Sequence, residues 1–169
     1  IFGGAKVSTK LTAIMNVSKK ADTILIGGAM ANTFLAAKGY AVGKSLVEAE
    51  MVEQAKNCLD NCNNLILPED LVVASELKSD VHTEIVPANK IPADKMALDI
   101  VPQTILRFRQ EIERAKTVVW NGPVGAFEFI GFEGGTYALV DTLEAHPGLT
   151  IVGGGDTNRA SYEKNAFDK

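Results

Sequence analysis

The chain is poor in the residues that mark several protein classes. It has only two cysteines, Cys58 and Cys62. Spaced i,i+4 in a helix-like segment they approach each other, but one pair is no disulfide framework, so a disulfide-stapled fold is excluded and two buried free thiols are expected. The only histidines, His82 and His146, have no Cys, Asp or Glu at metal-ligand spacing, which leaves no zinc site and no candidate catalytic imidazole. No apolar run approaches the roughly 20 residues that cross a bilayer, and the first residues lack the basic flank and apolar length of a secretion signal. A membrane partner is therefore not expected, a cytoplasmic location is, and Asn16-Val17-Ser18 is read as an incidental match to the glycosylation pattern. Lys and Arg number 17 against 21 Asp and Glu, a formal charge of -4, with no basic run to follow a nucleic-acid backbone. Nucleic acid is not expected as a partner.

Repeats, low-complexity segments and a plausible linker are also missing, so residues 1–169 are expected to form one domain. The chain does not open on methionine, and its first residues already read as the end of a buried strand entering a loop. A piece of a longer polypeptide is expected.

What is present is an alternation of short apolar runs and longer amphipathic ones. Strands are expected at residues 1–2, 23–26, 65–67, 71–74, 84–86, 117–120 and 150–152. Helices are expected at residues 8–17, 30–37, 46–59, from Pro102 through 115, at 134–143, and in a short piece from Asn158. Strands of about four residues alternating with helices of ten or more predict an α/β fold: a three-layer, Rossmann-like, open and mainly parallel sheet with helices on both faces.

Four strand exits carry glycine: IFGGAK, ILIGGAM, VVWNGPVG and IVGGGDT. In an open parallel sheet the carboxyl ends of strands share one edge, where ligands bind and helix N-termini present unpaired amides. Glycines there let backbone approach a ligand closely, which favours a nucleotide or phosphate site over four unrelated turns. The usual phosphate motifs are nevertheless absent. GYAVGKS has three residues where a Walker loop has four and follows a helix, so it is read as a helix terminator and loop; GxGxxG is missing too, which disfavours a dinucleotide-dependent oxidoreductase.

Around these exits stand the candidate polar groups. Lys6 and Lys10, one helical turn apart, can present mobile positive charge to phosphoryl oxygens, although Lys10 alone also reads as a solvated surface lysine. Asp156, after three glycines, is either a carboxylate for a Mg2+ held mainly by phosphates and water or a helix cap, a role open to Thr157 as well. Asn121 either meets phosphoryl oxygens or shapes a turn. Glu128 either accepts from ribose hydroxyls or is a surface acid. Asp99 reads as a turn or cap residue, and Trp120 as core.

The stretches GGAKVSTK, ILIGGAMANTFL, LPEDLVVA, MALDIVPQTI, TVVWNGPVGAFEF and TIVGGGDT, in this order, closely resemble the carboxyl-terminal, nucleotide-binding domain of phosphoglycerate kinases, over essentially the whole chain. The resemblance implies a two-lobed, monomeric cytosolic enzyme. It transfers a phosphoryl group between 1,3-bisphosphoglycerate and ADP, giving 3-phosphoglycerate and MgATP. The resemblance also implies roles. Lys6 accompanies the transferring group, with Gly155 beside it; Lys10 grips nucleotide phosphates; Asn121, Gly122 and Pro123 reach the phosphate chain; Glu128 holds the ribose. Asp156 is the Mg2+ ligand, with Gly153, Gly154, Gly155 and Thr157 near the phosphates. Gly4, Ala5, Gly27, Gly28, Leu46 and Leu98 line the adenine slot.

The chain departs from the family pattern at Ala29, Ala97 and Val101, where glycine is usual, in FIGFEGG, and after GGGDT, where Asn158, Arg159 and Tyr162 replace small apolar residues. A methyl at Ala97 either narrows the adenine slot or is absorbed by a small backbone change. The 3-phosphoglycerate lobe and a later phosphate-facing glycine loop have no counterpart here, so the chain alone is expected to bind nucleotide but transfer little or no phosphoryl group. The alternative is a non-catalytic nucleotide-binding or interaction module on the same fold.

Overall fold

The computed structural model describes residues 1–164. In chain order the elements are α1 (Leu11–Ser18), β1 (Ile24–Leu25), α2 (Met30–Ala37), a 3-10 turn (Ala49–Met51), α3 (Val52–Asn61), β2 (Leu65–Ile66), β3 (Asp70–Ala74), β4 (Glu84–Pro87), β5 (Met96–Ile100), α4 (Pro102–Arg114), β6 (Thr117–Asn121), α5 (Gly134–Glu144), β7 (Leu149–Gly153) and α6 (Gly155–Glu163).

The parallel part of the sheet runs β2, β1, the opening Phe2, β6, β7. β1 pairs with β2 and β6 with β7, both in parallel, and Phe2 bridges Ile26 on one side and Asn121 on the other. Alternation along β1 divides two cores. Ile24 and Ile26 pack with Ile14 of α1, Met30 and Phe34 of α2, and Ala55 and Cys58 of α3; Leu25 points the other way, into a core with Phe108 and Ile112 of α4, Trp120, and Leu139 of α5. Helices therefore cover both faces, as the α/β pattern predicts.

Beside the parallel ladder, β3, β4 and β5 form a separate antiparallel sheet in the order β4-β3-β5, a detail the strand pattern does not specify. The β3–β4 connection fits this, because only a loop joins these neighbours and a parallel pair would need a longer crossover. β5 is not among the expected strands, which give only Asp99 there, as a turn or cap residue, and it carries a bulge. Val72 faces Asp99 and Val73 faces Ala97, so Leu98 is an extra residue and the alternation breaks there.

Helix starts differ from expectation where side chains intervene. α1 begins at Leu11 because the amides of Lys10 and Leu11 both donate to the Val7 carbonyl, making a turn first. The helix expected from Leu46 begins only at the 3-10 turn, because Asn32 Nδ2 donates to the Leu46 carbonyl and the Glu48 amide donates to Thr33 Oγ1, holding that stretch extended. α4 starts on Pro102, where a missing N–H is harmless.

Trp120 is fully buried, and its Nε1 donates to the Gly122 carbonyl at 2.7 Å. Trp120→Phe is expected to keep most of the packing but strand that carbonyl, lowering stability by about 1–2 kcal/mol in a urea melt. Cys58 and Cys62 are buried free thiols with sulfurs 3.8 Å apart, and burial followed by the neighbouring Cys62 pushes the Cys58 thiol up to about 12. Among the described residues no helix is long and apolar enough to cross a membrane.

Candidate functional site

The parallel ladder brings the four glycine-bearing exits onto one rim. The Gly3 amide donates to the Asn121 carbonyl at 2.9 Å, Gly4 to Pro123 at 2.8 Å, and Gly28 to Val124 at 3.1 Å. Asn121 Nδ2 donates to the Gly153 carbonyl at 3.1 Å, and the Gly122 amide to Thr157 Oγ1 at 2.7 Å. Each turn is thus bonded to its neighbour. At Gly28 the backbone is left-handed (φ +70°) and a Cβ would lie 2.6 Å from the Gly4 backbone, so only glycine fits there.

Two adjoining cavities open on this rim, sharing Gly4, Ala5, Pro123 and Asp156. The first, about 470 Å³, is mainly apolar; among its walls are Gly28, Leu46, Leu98 and, at its exposed edge, Glu128. The second, about 290 Å³ and here called the polar cavity for the side chains it gathers, is lined by Lys6, Lys10, Asn121, Gly122, Gly154, Gly155 and Thr157. Gly27 and Gly153, the other two predicted residues, line neither cavity. Gly27 gives its amide to the Phe2 carbonyl, and the space of its missing Cβ is taken by Val124; Gly153 offers its carbonyl to Asn121.

Lys10 is half-buried rather than solvated. Its Nζ donates to the carbonyls of Gly3 at 2.6 Å and Asn121 at 3.3 Å, tying two glycine turns together. Burial lowers its pKa, against the pull of the nearby Asp156 carboxylate. Lys6 is exposed at the mouth of the polar cavity.

Asp156 is not a cap for a helix beginning near Asn158, because α6 already begins at Gly155 and its capping position is Gly154, with φ +97° and no side-chain capping bond. The carboxylate stands exposed in the first helical turn, where the leading amides have no intrahelical acceptor and an anion is favoured. The Thr157 hydroxyl is buried and accepts the Gly122 amide, fixing α6 against the WNGP turn. Among the described residues no group of three or more metal-ligating side chains exists. Asp156 alone suits a hard cation whose other ligands are phosphate oxygens and water.

Sequence reasoning missed several wall residues. Asn32, Lys44, Met96 and Asp99 reach the apolar cavity from α2, from the loop after it and from β5. Lys44 belongs to GYAVGKS, which is a helix terminator (Gly39, φ +90°) and loop as expected; the loop reaches the cavity because the Lys44 amide bonds to the Lys95 carbonyl. Asp99 is neither a turn residue nor at the surface. It is 3% exposed in β5, with Oδ2 accepting the Gly135 amide in the first turn of α5 at 2.8 Å and Oδ1 the Ile100 amide at 2.8 Å. Desolvation raises its pKa well above the ordinary carboxylate value, aided by Glu133 and opposed by those two amides. A buried carboxylate in an apolar run was the available signal.

The departures from the family pattern are accommodated by ordinary backbone. Ala29 is in helical conformation at the cap of α2 (φ -63°, ψ -26°), and Val101 is extended at the cap of α4 (φ -139°, ψ -172°). Neither position requires glycine. Ala97 is buried, with its amide bonded to Ser45 Oγ, beside the bulge that carries Leu98.

The chain is similar to known proteins over its full length. The family profile for phosphoglycerate kinase matches residues 1–169. A phosphoglycerate kinase of Moorella thermoacetica is 49% identical over 161 residues, 93% of this chain and 41% of that protein. One from Listeria monocytogenes serotype 4b is 47% identical over 171 residues, 100% of this chain and 43% of that protein. The structure of phosphoglycerate kinase from Coxiella burnetii superimposes with a TM-score of 0.95 at 38% identity, covering 98% of this chain and 44% of that one. That from Pyrococcus horikoshii gives 0.82 at 29% identity, covering 96% and 42%. The chain spans less than half the length of these relatives. With its glycine exits gathered on one rim and a profile match from first residue to last, the chain belongs to the phosphoglycerate kinase family.

Proposed function

We propose that these residues form the nucleotide-binding lobe of a phosphoglycerate kinase, which transfers a phosphoryl group between 1,3-bisphosphoglycerate and ADP to give 3-phosphoglycerate and ATP. The observation that carries this reading is the pair of adjoining cavities, one mainly apolar and one gathering Lys6, Lys10, Asn121 and Asp156, on a rim made of four glycine turns. An adenosine phosphate has the same division: a flat apolar base and a charged tail.

The base occupies the apolar cavity against Gly28, Leu46 and Leu98, with Glu128 accepting from the ribose hydroxyls. The phosphates run over the polar cavity, where Lys10, Asn121 and the leading amides of α6 face them. Lys10 then exchanges backbone carbonyls for phosphoryl oxygens, a stronger charge-assisted partner. Lys6, mobile and exposed, follows the transferring group. Asp156 would hold Mg2+, which when bound neutralises charge on the phosphate oxygens. Positioning and charge stabilisation suffice for transfer between an acyl phosphate and a nucleotide, so no serine or cysteine nucleophile is needed. The 3-phosphoglycerate side belongs to polypeptide outside these residues. The chain alone is therefore expected to bind nucleotide and turn over little or not at all.

Calorimetric titration with MgADP tests the reading. Lys10→Ala is expected to weaken binding about 10- to 100-fold, the magnitude of one or two charge-assisted hydrogen bonds. Glu128→Ala should weaken ADP but leave inorganic pyrophosphate, which has no ribose, unaffected. A chain that stays folded and binds neither free nor Mg2+-bound ADP would leave the non-catalytic module as the better account.

A further inference from the structure

Close in sequence to residues of both cavities is a contact that neither the strand exits nor the glycine turns explain. Ser8 sits between Lys6 and Lys10 in the segment that borders the polar cavity. Its amide donates to Glu48 Oε1 at 3.1 Å and its hydroxyl to Glu48 Oε2 at 2.5 Å. Glu48 is two residues beyond Leu46, on the far wall of the apolar cavity. The same stretch is anchored from behind, with the Glu48 amide on Thr33 Oγ1 at 3.1 Å and the Leu46 carbonyl on Asn32 Nδ2 at 3.3 Å, both from α2. Both carboxylate oxygens are thus spent on the lysine segment, across 40 residues of sequence, while the backbone is fixed to the core.

We infer that Glu48 is a positioning residue: it clasps the Lys6–Lys10 segment to the apolar wall and so sets the distance between the base-binding and phosphate-binding halves of the site. This rests on the nucleotide reading above. Glu48 touches neither cavity, so it does not contact the ligand; it acts through Ser8. Val7 is buried in the core and Lys10 Nζ holds the Gly3 and Asn121 carbonyls, so what Glu48 restrains is the exposed stretch around Ser8 between those two anchors. Lys6 and Thr9 are exposed, and the tie from the Thr9 hydroxyl, to the Lys6 carbonyl at 3.0 Å, stays within the segment. Although partial desolvation works in the opposite direction, the Ser8 bonds, the Val7 amide and the Lys6 charge together hold the Glu48 carboxyl below its ordinary pKa, so the clasp is ionised at neutral pH.

A clasp that joins two half-sites has a signature that a general support for the fold lacks. Adenosine uses only the apolar half, and ADP uses both. Glu48→Ala is expected to weaken ADP about fivefold or more, in the range of ordinary coupling between sites, while adenosine affinity stays within about twofold. Glu48→Asp, whose shorter arm reaches one Ser8 donor, should fall between, and Ser8→Ala should reproduce part of the loss. A second measurement needs no ligand: amide hydrogen exchange at residues 5–10 should accelerate about tenfold in Glu48→Ala, with exchange in β6 unchanged. Equal losses for adenosine and ADP, or exchange at residues 5–10 that does not change, would overturn the clasp. Wild-type chain that binds no ADP but shows the exchange effect would sink the nucleotide reading and leave the clasp standing as a structural fact.

Discussion

Gly3→Ala is expected to destabilise the chain by about 3 kcal/mol or more and to remove nucleotide binding. A Cβ on Gly3 would lie 2.2 Å from the Pro123 carbonyl oxygen and 2.4 Å from that of Gly122. Those are backbone atoms of the neighbouring turn, not the ends of flexible side chains, so no rotamer change relieves the contact. The turn must move as a body. Moving it breaks the Gly3 amide bond to Asn121 and the Gly4 amide bond to Pro123, and it withdraws the two carbonyls that hold Lys10 Nζ. Stability and site geometry therefore fail together. A urea melt and an ADP titration on the same sample check this; a variant with wild-type midpoint and affinity would show that the first and third exits are not packed as described.

The second large effect depends on pH. Asp99→Ala leaves the Gly135 and Ile100 amides without their buried acceptor, a loss of about 2–4 kcal/mol at low pH, where each stranded donor costs about 1–3 kcal/mol. Wild-type Asp99 has a native pKa raised above its unfolded value, so the folded state holds the proton more tightly. Its contribution to stability is full below the unfolded value, near 3.9, and declines as pH rises through the native one, by about 1.4 kcal/mol per unit between them. The variant has no such group. The difference between wild type and Asp99→Ala should accordingly be largest at about pH 4 and below and shrink as pH rises from there. A difference that grows with pH would mean that the carboxylate is stabilised as an anion and that desolvation does not dominate.

The packing around Asp99 explains why the cavity wall is sensitive to it. Cβ atoms on Gly125 and Gly135 would fall 2.1 and 2.4 Å from Asp99 Oδ1. The loop from Gly122 to α5, which supplies Pro123, Val124 and Glu128 to the cavities, is wound closely against this one carboxyl group.

Much of this was legible from local pattern. The apolar run around Ile24, the proline at the start of α4 and the glycine ending α2 each reflect the chemistry of a few adjacent residues. The four glycine exits were visible for the same reason. β5 was not, because its bulge at Leu98 breaks the alternation that marks a strand, and because the partner that makes it a strand, β3, lies more than 20 residues earlier. The delayed start of α3 was equally hidden: residues 46–48 have helical periodicity, but Asn32, Thr33 and Ser8 hold them extended from other elements.

Sequence by itself determined the class of fold, the turns rich in glycine and the charged residues beside them, since these follow from periodicity and from what one residue can do to its own backbone. Only the tertiary structure decided the antiparallel unit, the burial of Asp99, the engagement of Lys10 with two carbonyls and the reach of Glu48 to Ser8. Each of these depends on groups brought together from 7 to 40 residues apart, or from opposite ends of the chain as with Lys10 and Asn121, and hydrogen bonds and desolvation act over ångströms whatever the separation in sequence.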